Sequence, residues 1–207
     1  MGYTHYWELK VPNEKKFKKA VELFKKCWEV APKKATFTKY SGKYPNYTTE
    51  EIESEIRLFG GDGTGEPVIT DTRLLFNGEA ELGGDHETFD IDLAQPKWDF
   101  CKTARKPYDL AVCLALLSFK KVFGKDFTYS SDGVTRESIK DPENIKYWKS
   151  INWTPKIEDE WLKAYEVFDK VTGLDKKEPK TKSSLESDEI YVCDGHGNLG
   201  VQKVDWR

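Results

Sequence analysis

Side chains that bind anions are concentrated just before a helix that the sequence predicts to begin near Pro107. A helix N-terminus has unpaired N–H groups and a partial positive charge, which favour phosphate or carboxylate binding. Arginine adds a bidentate grip and lysine adds a point charge. We therefore predict an anion site here; in the alternative, the cations are solvated or pair with Asp99 and Asp109. The candidate residues are Lys102, Thr103, Arg105 and Lys106.

Two of the three histidines are candidates for acid–base chemistry near neutral pH. His5 lies on a predicted strand among aromatic residues, and His86 lies at the start of another predicted strand. His196 falls in a predicted turn near the C-terminus. A histidine among aromatic residues is more often structural than catalytic, so both interpretations of His5 and His86 stay open.

Ser131 and Asp132 follow a predicted strand, where they could contact a ribose or a base, or form a plain turn. The familiar signatures of catalysis are missing from the sequence. It contains no GxxxxGK[ST] phosphate loop, no GxGxxG in a strand–helix context, no GxSxG nucleophile elbow and no HExxH or other recognisable metal motif. We therefore predict no catalytic residue, no metal and no cofactor.

The composition favours a folded protein without general affinity for nucleic acid. The 207 residues carry 33 basic and 36 acidic side chains, for a net charge of −3, and 14% are aromatic. High aromatic content argues against disorder, and a near-neutral total argues against a nucleic-acid coat. The charge is nevertheless segregated, at +5 over 14–34, −11 over 50–92 and +5 over 97–125. These blocks are either solvated faces of the protein or functional segments. In the functional alternative, the acidic 50–92 segment binds a metal or repels the wrong partners, and the 97–125 segment binds an anion.

The sequence also predicts a cytoplasmic protein without a membrane partner. No apolar run reaches the length of about 18 residues that a transmembrane helix needs. The start, MGYTHYWELK, is unlike a secretory signal, and Tyr6 stands where a myristoylation signal needs Ser or Thr. The cysteines form no CxxC pair and no zinc-finger spacing, so we expect free thiols in a reducing compartment. They are Cys27, Cys101, Cys113 and Cys193.

Hydrophobic periodicity predicts an α+β fold, a mostly antiparallel sheet with packed helices, in one domain over residues 1–207. The most apolar helix, near 107–123, is expected at its centre. A polar segment over 174–188 is expected to be an exposed loop before a C-terminal β-hairpin at 189–206. Residues 35–54 stay unassigned. The other predicted strands are 3–10, 56–59, 68–76, 87–93 and 126–130, and the other predicted helices are 14–30, 139–150 and 154–173.

Several strings of the sequence resemble an uncharacterised family of proteins found in phages and bacteria. They are MGYTHYW, GDGTGEPVITDTRLLFNG, DHETFDI, FCKTARKPYD and YSSDG. The resemblance covers roughly residues 1–135. It implies no established activity, but it does imply a phage or bacterial setting, in which a phage-encoded copy acts in the host cell cytoplasm.

These residues together predict one pocket for a nucleotide-derived anionic small molecule. Aromatic rings would stack on a base, cations would hold phosphates, and a carboxylate would accept hydrogen bonds from ribose hydroxyls. The predicted ligand-binding residues are His5, Tyr6, Trp7, His86, Lys102, Thr103, Arg105, Lys106, Tyr108, Ser131 and Asp132.

The sequence leaves three functions open, and the first two use this pocket. The favoured one is binding and sequestration of the ligand, as in a phage sponge for a host immune signal of the cyclic dinucleotide or cyclic ADP-ribose type. The second is a hydrolase on the same ligand class, with His5 or His86 as acid or base and Arg105 stabilising negative charge. The third function does not use the pocket: it is a protein-interaction module with exposed aromatic residues around Tyr40, Tyr44 and Tyr47. A homo-oligomer is compatible with a pocket completed across subunits.

Overall fold

A computed structural model describes residues 3–42, 46, 48–174, 190–193 and 199–202 of the chain. The chain divides into two compact units, Met1–Thr172 and Gly173–Arg207, and each is described by itself. From residue 175 onward, the loop predicted over 174–188 lies outside the described residues. So does the turn of the predicted C-terminal hairpin.

The first unit holds four helices and eight strands among its described residues. The strands pair antiparallel in three small sheets, with orders β7-β1-β8, β4-β5-β6 and β2-β3. In chain order the elements are β1 (Thr4–Leu9), α1 (Glu14–Val30), β2 (Lys34–Ser41), β3 (Thr48–Glu55), β4 (Val68–Ile69), β5 (Arg73–Phe76), β6 (Phe89–Asp92), β7 (Trp98–Lys102), α2 (Asp109–Phe123), β8 (Phe127–Ser131), α3 (Pro142–Ser150) and α4 (Asp159–Thr172).

Helix α2 forms the centre of the first unit, as its apolar sequence predicts. Every residue from Asp109 to Phe119 is buried, and the buried hydroxyl of Ser118 donates to the carbonyl of Leu114 at 2.7 Å. The regular helix begins at Asp109, two residues after the predicted start at Pro107. Helices α1 and α4 both pack against it. The prediction of a central apolar helix is therefore confirmed.

Helix α1 covers one side of α2 because its apolar residues recur on a single face. Asn13 caps it by accepting a hydrogen bond from the N–H of Lys16 at 2.9 Å. Phe17 of α1 meets Phe119 of α2 edge-on, with ring centroids 5.0 Å apart. The buried face consists of Phe17, Ala20, Val21, Phe24 and Cys27.

Strand β1 is the middle strand of the β7-β1-β8 sheet, which carries several of the predicted site residues. Burial alternates along it, so that His5 and Trp7 point into the core while Tyr6 points the other way. His5 is paired with Cys101 on β7 and with Ser131 on β8. The register therefore places the residues of three separate sequence segments side by side.

The predicted α+β class is confirmed, but the sheet structure is divided where one mostly antiparallel sheet was expected. Of the unassigned residues 35–54, those over 35–41 belong to β2 and those over 48–54 belong to β3. The strand predicted at 56–59 is wrong, since β3 ends at Glu55 and only an isolated bridge joins Phe59 to Asn77. The strand predicted at 68–76 is broken by a tight turn, in which the Thr70 N–H donates to the Arg73 carbonyl at 2.9 Å.

In the second unit, strands β9 (Ile190–Cys193) and β10 (Leu199–Gln202) pair antiparallel. Both strands lie within the range 189–206, where the sequence predicts a hairpin. Among the described residues of both units, no helix has the length and apolar character needed to span a bilayer.

Asn77 ties two loops of the first unit together, although its neighbourhood is rich in glycine. Its side chain is buried and makes four hydrogen bonds. The amide nitrogen donates to the carbonyls of Gly61 and His86, at 3.1 and 3.0 Å. The amide oxygen accepts from the N–H groups of Gly78 and His86, at 2.8 and 3.2 Å. This one buried side chain therefore holds the backbone of three residues, Gly61, Gly78 and His86.

We expect Asn77→Ala to lower the free energy of unfolding by about 3 kcal/mol, because four hydrogen bonds of a buried side chain are lost. Urea denaturation followed by tryptophan fluorescence measures the loss. The matched control is Asn144→Ala, which removes a single part-buried hydrogen bond to the Ser138 carbonyl and should cost less than about 1 kcal/mol. Equal losses in the two variants would contradict the assigned role of Asn77.

Candidate functional site

A groove of about 370 Å³ lies between β2, the segment that leads into α2, and α4. Its volume falls in the range of small-molecule sites. Two further cavities in the described residues measure about 10 and 20 Å³. The groove is lined by Pro32, Lys34, Ala35, Thr36, Phe37, Ile56, Arg105, Lys106, Pro107, Leu110, Glu160 and Lys163.

The lining of the groove combines positive charge with an apolar wall. Its four cations come from three places in the sequence, namely β2, the segment before α2, and α4. One carboxylate accompanies them, since Glu160 lies 3.4 Å from the ammonium group of Lys163. Phe37, Ile56 and Leu110 are buried behind the polar groups. The groove is therefore suited to a ligand with both anionic and apolar parts.

Arg105 reaches the groove from a backbone turn of unusual conformation. Ala104 and Arg105 both lie in the left-handed region, with φ of 51° and 57°. This region costs a residue with a side chain roughly 1–2 kcal/mol. The turn is held because the N–H groups of Thr103 and Ala104 both donate to the Tyr3 carbonyl, at 3.0 and 3.1 Å. Strain that is held in this way is found most often at functional sites.

The Arg105 side chain is half exposed and rests on the Tyr3 ring. Its guanidinium carbon lies 4.1 Å from the ring centroid, in a cation–π contact. Its nearest carboxylate is that of Glu158, at 3.6 Å. The cation is therefore oriented by the ring and only weakly neutralised, which leaves it able to bind an anion.

Lys106 is the most buried cation of the groove. Its ammonium group donates to the Gly83 carbonyl at 2.6 Å and lies 5.4 Å from the Phe37 ring. Burial lowers the pKa of Lys106, while the nearby Asp85 opposes that shift. An incoming anion would favour its charged form.

Two predicted site residues, His5 and Thr103, are buried beneath the groove instead of lining it. Nε2 of His5 donates to Oδ1 of Asp109 at 2.7 Å, and the Thr103 hydroxyl donates to the same oxygen at 2.5 Å. All three side chains are buried. They join β1, the strained turn and the first turn of α2.

Three predicted site residues lie on β1 or at the end of β8 and do not line the groove, namely Tyr6, Ser131 and Asp132. The Tyr6 hydroxyl donates to Oδ1 of Asp132 at 3.3 Å, and the other oxygen of Asp132 accepts from the N–H of Thr4. Ser131 faces inward and accepts from the indole N–H of Trp161 at 3.3 Å. Hydrogen bonds within the protein therefore already occupy these polar groups.

The remaining predicted site residues are also outside the groove lining. Trp7 packs against Phe89 in the core. Tyr108 is buried, where burial raises the pKa of its hydroxyl, and it donates to the Glu87 carbonyl at 2.6 Å. His86 is exposed in a loop, and Lys102 is the last residue of β7.

Of the predicted residues, Arg105 and Lys106 are the ones that the structure brings to the groove. The sequence does not point to three other groove residues, Lys34, Glu160 and Lys163. They lie on β2 and α4, which come close to the start of α2 only in the folded chain. The basic block over 14–34 includes Lys34 and was the available signal. Tyr40, from the aromatic surface considered for a protein partner, is 63% exposed, whereas Tyr44 and Tyr47 are outside the described residues.

Comparisons of the chain with family models, with curated proteins and with solved structures return no match. The resemblance to a phage and bacterial family therefore stays a prediction from the sequence strings. The function is therefore inferred from the residues of the site itself.

Replacing Ala104 by glycine should stabilise the protein. Glycine removes the left-handed strain but adds freedom to the unfolded chain, for a net gain of about 0.5–1 kcal/mol. Differential scanning calorimetry measures the shift in melting temperature.

Ala94→Gly is the matched control, since Ala94 is exposed and has no positive φ. We expect it to lose about 0.5 kcal/mol. A loss of stability in Ala104→Gly as large as in Ala94→Gly would show that the turn is not strained.

Proposed function

We propose that the protein binds an anionic small molecule in the groove between β2, the 104–110 segment and α4. The observation that carries the proposal is the convergence of four cations from three segments on one cavity of about 370 Å³. Exposed cations usually disperse over a surface because they repel one another. Their convergence beside an apolar wall supports a ligand that supplies the missing negative charge.

We propose a phosphate-bearing nucleotide as the ligand class. Arg105 suits a phosphate because its planar fork can donate two parallel hydrogen bonds. The apolar wall formed by Phe37, Ile56 and Leu110 suits the uncharged part of such a ligand. Thr36 adds a hydroxyl at the rim. Cyclic dinucleotides and cyclic ADP-ribose forms combine these chemical features.

Sequestration is favoured over hydrolysis of that ligand. A substrate cannot reach the side chain of His5 in this conformation, since it is fully buried, and His86 is not among the groove residues. Burial raises the pKa of the Cys113 thiol well above its usual value and also raises that of Cys101. Neither cysteine is therefore a thiolate nucleophile near neutral pH. In a phage setting, a binder of this kind would act as a sponge for a host immune signal.

Charge removal in the groove tests the proposal. Cyclic di-AMP and cyclic ADP-ribose are titrated into the wild-type protein by isothermal calorimetry. We expect at least one of them to bind, and Lys34→Gln/Lys163→Gln to weaken that binding by about tenfold or more, because two charge-assisted contacts are lost. Both lysines are exposed, so the variant should keep the fold.

Lys102→Gln is the matched control, because Lys102 belongs to the basic segment that supplies Arg105 and Lys106 but does not line the groove. Its affinity should equal that of the wild type. Equal weakening in Lys102→Gln and in the double variant would contradict the groove as the site. Binding of neither nucleotide would remove the proposed ligand class.

A further inference from the structure

The buried pair His5 and Asp109 has more hydrogen-bonding capacity than its surroundings satisfy. In the described part of the chain, Nδ1 of His5 and Oδ2 of Asp109 have no hydrogen-bond partner, although both atoms are buried. A buried polar atom without a partner destabilises the folded state. Two such atoms in one pair of residues suggest a bound group that completes the site.

A third metal-ligating side chain lies next to this pair. One ligand atom each from His5, Asp109 and Cys113 can be chosen so that all three lie within 4.8 Å of one another. Asp109 and Cys113 are four residues apart on α2, so they lie on the same helix face. All three residues are buried. The sequence shows no metal motif here, because His5 comes from a strand more than a hundred residues earlier.

The three ligand types select a class of metal. An imidazole nitrogen, a carboxylate oxygen and a thiolate sulfur together suit Zn²⁺ or Co²⁺, whereas Mg²⁺ and Ca²⁺ prefer oxygen ligands alone. A divalent ion also balances the charge of the site. With a neutral imidazole, the carboxylate and the thiolate carry two negative charges, which cancel the two positive charges of the ion. A neutral site is what a buried position requires.

We propose that His5, Asp109 and Cys113 bind a divalent transition-metal ion of the zinc type in the core of the first unit. The ion enters during folding, since the site is closed in the folded protein. Binding releases the proton of the Cys113 thiol to solvent, as thiolate ligation requires. The ion joins β1 to α2. This inference does not rest on the proposed anion binding.

Metal content and a cobalt spectrum test the site. The full chain, free of any affinity tag, is expressed with added Zn²⁺ and analysed by plasma mass spectrometry. It is also refolded with Co²⁺. We expect about one ion per chain and a near-ultraviolet charge-transfer band from thiolate to Co²⁺. That band reports Cys113 directly and needs no ligand or activity.

Cys113→Ser removes the sulfur and should abolish the band, with metal content falling about tenfold or more. Cys27→Ser is the matched control, because Cys27 is another buried helical cysteine but belongs to no such cluster in the described residues. The control should keep both the band and the metal. If Cys113→Ser fails to fold, the wild-type metal content and band decide. Wild-type protein without stoichiometric metal in both preparations would overturn the site, as would a band that survives Cys113→Ser.

Discussion

Oδ1 of Asp109 accepts hydrogen bonds from both His5 and Thr103 in the core of the first unit. These two bonds fix three pieces of chain against one another: strand β1, the turn that follows β7, and the first turn of α2. Because the carboxylate group is buried, removing either partner would leave it with one hydrogen bond fewer, at a typical cost of about 1–3 kcal/mol. Arg105 and Lys106 follow closely on Thr103 in the chain, so the position of these two groove cations depends on this arrangement.

The buried bonds explain how a strained turn can persist. Ala104 and Arg105 adopt a left-handed backbone that neither residue favours. The turn has little freedom to relax, because Thr103 is bound to Asp109 on one side and to the Tyr3 carbonyl on the other. One consequence is that Arg105 rests on the Tyr3 ring at the edge of the groove. Core packing, strain and the orientation of a cation are thus one connected feature.

The sequence predicted the elements with strong local signals. The alternation along β1, the Asn13 cap of α1 and the apolar run of α2 each depend on neighbouring residues alone, and each is present in the structure. The β2–β3 hairpin was harder to predict. Phe37 is the one buried residue of its two strands, so little hydrophobic alternation marks them in the sequence.

The site was only partly predictable, for a related reason. Arg105 and Lys106 could be found because cations before a helix form a local pattern. Asp109 was considered as a surface partner of those cations, but it is buried with His5 and Thr103. The cation Arg105 faces Glu158 instead. Long-range contacts of this kind follow from the packing of α4 and β1 against α2, which sequence spacing does not encode.

A capture experiment tests the central claim most directly. The protein is incubated with a panel of cyclic and linear nucleotides, including cyclic ADP-ribose forms, and is then removed by filtration. Both the filtrate and the material released on denaturation are analysed by chromatography. If the groove sequesters its ligand, one nucleotide leaves the filtrate and returns unchanged on denaturation. A nucleotide that returns altered would contradict sequestration and indicate an enzyme, and a panel that stays intact in the filtrate would contradict the nucleotide site itself.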